Sequence, residues 1–245
     1  MSIETQPVAT QEIEYPDSDG KPMADDTKQF RWIVTIEGGL DAQYRDDPNV
    51  FVAGDLLWYP IEGRPTIRAA PDVMVVFGRP KGDRGSYQQW REGGMAPQVV
   101  FEVLSPGNTL PEMLEKLRFY ERYGVEEFYI YDPDRGALSG WVGGNGELSA
   151  IETMSGWVSP RLGIRFTLAN GELVLYYSDG RAFASYIELE RLREQAQLAA
   201  EQERQRAEQE RQRAEQERQR AEQERQRADR LAAQLRALGI EPEEG

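Results

Sequence analysis

Apolar residues before position 187 recur either at helical spacing or in short continuous runs. Between Thr27 and Arg45 they recur at helical spacing around a Gly38-Gly39 pair, which predicts a first helix. The segment from Thr109 to Tyr120 opens on a T-x-x-E pattern and continues with apolar residues at positions i, i+3, i+4 and i+7. This combination predicts a second helix with a capping box.

Short runs rich in β-branched and aromatic residues, bounded by Pro and Gly, predict the strands of a sheet. These runs span residues 50–59, 72–77, 98–104 and 128–132, and two hairpins follow at 137–154 and 165–177. We expect both hairpins to complete the same sheet. The run at 98–104 is apolar on both faces apart from Glu102, so this strand belongs inside a sheet that is covered on both sides.

The pattern changes completely from Ile187, where AEQERQR recurs with a period of seven residues and predicts a long charged helix. Glu and Arg three or four positions apart stabilise such a helix. Its seam offers one Ala per heptad with Glu at the other seam position, and Leu only toward the C-terminal end. A lone solvated helix and a weak coiled coil that joins copies of the chain into a homo-oligomer therefore both remain open.

These segments predict four parts. Residues 1–26 are rich in Pro and polar residues and predict a flexible N-terminal arm. Residues 27–186 hold the helices and strands of one globular domain. Residues 187–238 form the heptad-repeat helix, and residues 239–245 form an acidic tail.

Composition and charge narrow the chemistry. The chain has no histidine and no cysteine, which excludes Ser-His-Asp triads, Cys-His dyads, zinc fingers and disulfides and leaves carboxylates, Lys, Tyr and Ser. The net charge is −14; 12 Arg against 15 Asp and Glu in residues 187–245 account for −3, which leaves −11 for residues 1–186. Strong nonspecific binding of nucleic acid is not expected of such a domain, because that affinity comes from Lys and Arg. A local basic cleft or a metal-filled acidic site is still compatible with this charge.

No run approaches the roughly 20 apolar residues of a membrane span. The N-terminus also lacks the basic and apolar regions of a signal peptide. We therefore expect a cytoplasmic protein with no membrane partner.

A buried carboxylate is the first candidate for chemistry. Glu102 lies in an apolar strand, where an ionised carboxylate is costly unless a partner compensates it. Asp72 begins the run at 72–77, so a sheet that pairs the two strands would bring both carboxylates to one edge of a cleft. Adjacent carboxylates repel unless a proton or a cation lies between them, and oxygen ligands suit Mg²⁺ or Mn²⁺. The alternatives are an Asp72 bonded to a turn and a Glu102 paired with a nearby Lys or Arg.

Three blocks of the sequence resemble a known family. They are APDVMVV at 70–76, PQVVFEVLSPGNT at 97–109 and EMLEKLRFYERYGVEEFYIYDP at 112–133. In order and spacing they resemble the Uma-type restriction endonucleases, a branch of the PD-(D/E)XK nuclease superfamily, over about residues 27–180. The resemblance implies a restriction-endonuclease-like α/β fold with a central mixed sheet flanked by helices, to which the long charged helix is attached.

The resemblance also implies site residues. Asp72 matches the acid of the PD half-motif and Glu102 the acid of the (D/E)XK half, so both would be metal ligands. The chain departs from the motif at Leu104, where the superfamily has Lys. Lys116 in the K-x-x-x-Y segment of the second helix is the natural substitute, although a surface pair with Glu112 is an alternative role for it.

The function implied is a metal-dependent endonuclease that hydrolyses phosphodiester bonds in DNA with Mg²⁺ or Mn²⁺. The alternative is a catalytically inactive member of the fold that acts as an interaction or oligomerisation module through its C-terminal helix. Asp55 and Glu37 are weaker candidates for further ligands, and Lys81, Arg84 and Arg91 for phosphate contacts. An aromatic cluster suits core packing better than base stacking: Phe119, Tyr120, Tyr123, Phe128, Tyr129 and Tyr131.

Overall fold

A computed structural model describes residues 13–20, 22–144 and 146–237. Residues 1–12 of the predicted arm, Leu238 and the predicted acidic tail at 239–245 lie outside the described residues. By its internal contacts the chain divides into two units, with the boundary after Tyr186.

The first unit contains two helices, α1 (Thr27–Gln43) and α2 (Leu110–Tyr123). The Asp26 side chain caps α1 by accepting hydrogen bonds from the backbone N–H groups of Lys28 and Gln29. The predicted capping box of α2 is confirmed, because the Thr109 and Glu112 side chains each accept from the other residue's backbone N–H. Both helices therefore begin where side-chain oxygens satisfy their first N–H groups.

Six strands form the central sheet in the order β1-β3-β5-β6-β7-β8. The strands of the chain are β1 (Val50–Gly54), β2 (Trp58–Tyr59), β3 (Val73–Phe77), β4 (Tyr87–Gln88), β5 (Val99–Val103), β6 (Glu127–Asp132), β7 (Ala137–Gly144), β8 (Glu147–Ala150), β9 (Arg165–Ala169) and β10 (Glu172–Tyr176). Only β5 and β6 pair in parallel within the central sheet. The helix α2 makes the crossover that this parallel pair requires.

Two sequence expectations about the sheet are corrected. The second hairpin, β9 and β10, does not complete the central sheet but forms a two-stranded sheet of its own, which packs over one face through Phe166, Leu173 and Leu175. The run at 50–59 is two strands instead of one. The break falls at Asp55, whose φ of 46° lies in the left-handed region and cannot continue a strand.

Both faces of the central sheet are covered, as the apolar pattern of residues 98–104 predicted. Successive side chains of a strand point to opposite faces, so β5 contributes Phe101 to one core and Val100 to the other. The first core lies against α1 and the β9–β10 hairpin, and the second lies against α2. Glu102 shares its face with Val100 and thus points toward α2.

The second unit is dominated by α3, which spans Tyr186–Ala237 and has no buried residue in its 52 positions. Gln212 and Gln219 donate hydrogen bonds to Glu208 and Glu215 one turn earlier. No helix in the described ranges is long and apolar enough to cross a membrane. The mixed α/β fold with a central mixed sheet, flanking helices and a long charged C-terminal helix is therefore as predicted.

Candidate active site

The ends of two neighbouring strands bring Asp72 and Glu102 together. In the antiparallel pair of β3 and β5, Val73 lies opposite Phe101, so the same register continued by one residue sets Asp72 opposite Glu102. Asp72 Oδ2 accepts a hydrogen bond of 2.6 Å from the backbone N–H of Val103. The sequence expectation that pairing of these two strands brings the two carboxylates together agrees with this geometry.

Lys116 and Tyr120 approach Glu102 from α2. The Lys116 ammonium donates to Glu102 Oε2 at 2.6 Å, and the Tyr120 hydroxyl donates a short hydrogen bond to Oε1. Residues four positions apart lie on the same face of a helix, so the K-x-x-x-Y spacing supplies one donor to each oxygen. Glu102, only 2% exposed, is thereby compensated at both oxygens.

Lys116 holds its proton firmly. Burial lowers the pKa of Lys116, but the carboxylates of Glu102 and Asp72 together outweigh burial and leave that pKa above its usual value. The side chain is therefore a permanent positive charge at neutral pH, and it lies directly beside the two acids.

The carboxyl group of Asp72 resists ionisation. Burial is the main cause and the charge of Glu102 adds to it, so the pKa of Asp72 lies well above its usual value although Lys116 and the Val103 N–H oppose the shift. Within the described residues nothing donates a hydrogen bond to Asp72 Oδ1. One carboxylate oxygen is thus free for a proton or a cation.

Asp55, a weaker candidate ligand in the sequence, is a third carboxylate beside the site. Its backbone N–H donates to the Asp72 carbonyl oxygen at 3.2 Å. Asp55, directly after β1, therefore lies beside the start of β3. Burial raises the pKa of Asp55, and so do the charges of Asp19 and Glu102, against the opposing charge of Lys116. The one sequence signal was a polar residue inside an apolar run.

These side chains border a cleft of about 770 Å³. Asp55, Asp72 and Lys116 line it, together with Arg68. Glu102 does not line the cleft and is almost completely buried.

The residues directly before α1 form one side of this cleft. It has no helix or strand before α1, yet Met23 and Asp25 line the cleft. Asp25 Oδ2 accepts a hydrogen bond of 2.6 Å from the Ser105 hydroxyl. Farther along, Tyr15 packs its ring against Tyr59 and Trp90. The segment is therefore tied to the domain at two places.

Tyr120 connects the site to the aromatic core. Its ring lies parallel to the buried indole of Trp58, with centroids 6.3 Å apart and an interplanar angle of 5°. Trp58 Nε1 donates to Gln89 Oε1 at 3.0 Å. The hydroxyl that holds Glu102 is thus fixed by packing on one side and by a carboxylate on the other.

The donor set suits a divalent cation of the Mg²⁺ type. The oxygens are hard ligands, and Asp72 Oδ1 is free while the pKa values of Asp72 and Asp55 are raised, a state that a bound cation would reverse. No group of three or more acidic residues in the described ranges is arranged as a complete cage. Mg²⁺ does not require one, because it is commonly held by one or two carboxylates together with water and substrate phosphate oxygens.

The other weaker candidates lie away from this cleft. Glu37 lines a separate cavity together with Lys81 and Arg84. Lys81 is paired with Asp41 at 2.8 Å and Arg84 with Glu92 at 2.7 Å, so both cations already have acidic partners. Arg91 is exposed.

The aromatic cluster divides into two groups. Tyr120, Phe128, Tyr129 and Tyr131 are buried in the cores, as the packing interpretation predicted. Phe119 and Tyr123 are only partly buried, and Phe119 lines the cleft.

Three comparisons relate this chain to known proteins. A crystal structure of a putative nuclease of the DUF820 family from Anabaena variabilis is 14% identical and aligns over 58% of this chain and 77% of its own, with a TM-score of 0.43. No curated protein matches the chain. Residues 173–237 match a family described as a Helicobacter pylori protein of unknown function (DUF874).

The family resemblance inferred from the three sequence blocks is confirmed over most of the chain. Residues 11–170 match the Uma2 family, described as putative restriction endonucleases. The matched range contains Asp55, Asp72, Glu102 and Lys116. The chain therefore belongs to the Uma2 family of putative restriction endonucleases.

Proposed function

We propose that this protein is a metal-dependent endonuclease that hydrolyses phosphodiester bonds in DNA. The observation that carries the proposal is that Asp72, Glu102 and Lys116 lie together beside a cleft of about 770 Å³. Asp72 directly precedes β3, Glu102 lies near the end of β5, and Lys116 comes from α2. Membership of the Uma2 family supports the reaction class.

Asp72 and Glu102 would hold the cation, Mg²⁺ or Mn²⁺, and Asp55 lines the same cleft. A bound divalent cation supplies an activated water and stabilises negative charge on a phosphoryl oxygen. The chain's own contribution is to fix the carboxylates: the Val103 N–H holds Asp72, and Tyr120 holds Glu102.

Lys116 acts as a fixed positive charge in this proposal. In hydrolysis a water oxygen forms a bond to phosphorus while the bond to the leaving sugar oxygen breaks, and negative charge grows on the phosphate oxygens. The Lys116 ammonium lies 2.6 Å from Glu102 Oε2, where it can neutralise part of that charge. The proposal thus gives Lys116, on α2, the electrostatic task of the lysine that the superfamily motif has at the position of Leu104.

Nicking of supercoiled plasmid by the purified full chain tests the proposal. We expect cleavage with Mg²⁺ or Mn²⁺ and none with EDTA. Glu102→Gln should abolish cleavage while the circular dichroism spectrum stays that of the native protein. Inactivity across metals and substrates, together with the absence of Mn²⁺ binding by calorimetry, would reject the enzyme and favour an inactive interaction module.

Two lysines provide a matched test of the role of Lys116. The side chains of Lys116 and Lys81 are both 31% exposed and both form ion pairs, but the partner of Lys116 is a buried acid and that of Lys81 is exposed. We expect Lys116→Met to lower kcat by roughly 10²–10³-fold, the effect typical of removing one charge-stabilising donor.

Lys81→Met should leave kcat within about twofold of the wild-type value, as expected of an exposed pair. Thermal denaturation of both variants verifies that they are folded at the assay temperature. Equal activities of the two variants would exclude Lys116 from the chemistry.

A further inference from the structure

A second groove adjoins the candidate active site. It has a volume of about 380 Å³ and shares two lining residues, Arg68 and Phe119, with the cleft. Its remaining lining includes Arg118, Arg122 and Tyr123 from the exposed side of α2. The groove therefore continues the cleft along this helix.

The three arginines of this groove are not neutralised. Among the described residues, Arg68, Arg118 and Arg122 form no ion pair with a carboxylate. The arginines near β4 differ, since Arg79 and Arg84 both pair with Glu92. A chain with a net charge of −14 thus keeps a local concentration of free positive charge beside the cleft.

Contacts within the fold involve these arginines but do not neutralise them: Arg122 lies over the ring of Tyr123 at 5.7 Å. Arg122 lies in the last turn of α2, where the helix dipole favours a cation, but Arg118 lies a turn earlier and is exposed. Arg68 comes from the loop between β2 and β3 and reaches only the Tyr59 hydroxyl, at 3.4 Å. Separate elements thus bring their guanidinium groups to one groove.

Two aromatic rings and Ile67 form the apolar part of the same groove. Phe119 and Tyr123 lie with ring centroids 4.7 Å apart, and Phe119 meets the edge of Trp58 at 5.4 Å. Guanidinium groups beside partly exposed rings are the usual makeup of a surface that follows a nucleic acid backbone.

We propose that this groove binds the phosphodiester backbone of substrate DNA where the strand leaves the cleft, with Arg68, Arg118 and Arg122 each neutralising a phosphate. The inference rests on the proposed function, because it assigns the groove to the substrate of that site. It also explains how an acidic protein holds a polyanion: the arginines hold the flanking phosphates, and the acidic site meets only the phosphate that reacts.

Binding of labelled DNA by the full chain tests the groove without relying on cleavage. Fluorescence anisotropy with a duplex and with its single strand, in EDTA and in Ca²⁺, gives the dissociation constant as a function of salt. The variant is Arg118→Gln with Arg122→Gln. The control removes the same charge through Arg31→Gln with Arg135→Gln, which line neither the cleft nor the groove.

We expect the groove variant to reduce the dependence of log K on log salt by about two for the duplex, since each phosphate contact contributes about 0.9. The same change weakens binding on the order of 100-fold at about 50 mM salt, and the loss shrinks as salt rises. If the chain cleaves, the variant should raise KM and leave kcat nearly unchanged, because these contacts are equal in ground and transition states.

An unchanged affinity and salt dependence in the groove variant, or a wild-type chain that binds neither DNA in either solution, would overturn the inference. So would an equal loss in the control variant, which would indicate a general effect of net charge. Failure of the proposed function gives a different result. If the chain binds DNA through these arginines but does not cleave it, the groove proposal stands and the nuclease proposal is rejected. If the chain cleaves DNA and the arginine variant binds and cleaves it as well as the wild type does, the proposed enzyme stands and the groove proposal is rejected.

Discussion

Burial of Asp72 makes the site costly for the folded protein. Its pKa is raised by burial and by Glu102, so ionisation is less favourable in the folded than in the unfolded chain. For an acid with a raised folded pKa, the contribution to stability is fully present below the ordinary pKa of about 3.9 and is lost as the pH rises through the folded pKa. At neutral pH the site therefore reduces the free energy of unfolding.

Asp72→Asn should reverse this loss. Without metal, we expect the variant to have a higher Tm than the wild type at pH 7–8, and the difference should disappear as the pH falls toward 4. Asp179→Asn is the control, because the Arg181 backbone N–H and side chain lower the pKa of that exposed acid and its removal should not raise Tm. Thermal denaturation in EDTA from pH 4 to 8 measures both. A lower Tm for Asp72→Asn throughout that range would contradict the prediction.

Metal should compensate the same cost. Saturation with Mn²⁺ at about 100 times its dissociation constant stabilises a folded protein by about 2.7 kcal/mol. We expect this gain at pH 7–8 in the wild type and not in Asp72→Asn, and we expect it to fade toward acid pH as protons compete for the carboxylate. Calorimetry in the presence and absence of Mn²⁺ measures the gain independently of DNA cleavage. A gain of equal size in Asp72→Asn would remove Asp72 from the metal ligands.

At the scale of single residues, the sequence predicted the carboxylates better than their surroundings. Glu102 stands out because an acid in a doubly apolar strand needs a partner. The structure pairs it with Lys116, a contact that the sequence did not predict, since the placement of a helix over a strand is set by tertiary packing. Asp55 was not selected, because its left-handed backbone and its proximity to Asp72 leave no pattern along the chain.

Among the elements, helix α1 contains two adjacent glycines, Gly38 and Gly39, whose surroundings differ. Its Gly38-Gly39 pair reads as an interruption of the helical pattern. A Cβ added at Gly39 would lie 2.1 Å from Phe183 Cδ2, whereas one at Gly38 would have no atom within 4 Å. The Tyr177 hydroxyl donates to the Gly39 carbonyl oxygen at 3.1 Å. Gly39 is therefore the point where the segment after β10 packs against α1.

The two glycines form a matched pair of substitutions. Gly38→Ala should stabilise the protein by up to about 1 kcal/mol, the difference in helix propensity between the two residues. Gly39→Ala should destabilise it by about 1–3 kcal/mol, because the methyl group must displace the ring of Phe183. Urea denaturation of both variants measures the difference. A stabilised Gly39→Ala would mean that Phe183 does not pack there.

The strands and helices themselves were largely predictable, because apolar period and capping are local properties. The strand order was not, and the β9–β10 hairpin was wrongly assigned to the central sheet. Its Asn170-Gly171 turn, with φ values of 54° and 81°, is readable from the sequence. The sheet that a hairpin joins depends instead on which apolar face it covers.

The whole molecule combines a packed domain with a helix that has no core of its own. The α3 helix buries none of its residues, so its stability comes from helix propensity and from Glu, Arg and Gln pairs along its surface. Each such pair contributes only about 0.2–0.5 kcal/mol. The repeats therefore supply length without supplying a hydrophobic surface.

Truncation after Tyr186 separates the two parts. Because α3 buries no side chain, we expect the shortened chain to keep the Tm and any cleavage activity of the full chain. Sedimentation of both forms tests the homo-oligomer hypothesis: association through α3 requires a multiple mass for the full chain and a single mass for the shortened one. Equal monomer masses would reject that hypothesis, and a large drop in Tm would contradict the independence of the domain.

The parallel stack of Trp58 and Tyr120 links the fluorescence of Trp58 to the state of the candidate site. The phenol that stacks on the indole also holds Glu102 through its hydroxyl. Any change in the protonation or ligation of Glu102 therefore alters the electrostatic surroundings of a buried fluorophore. Five tryptophans emit, and subtracting the spectrum of Trp58→Phe isolates the one beside the site. The occupancy of the cleft can then be followed by light, without a label or a substrate.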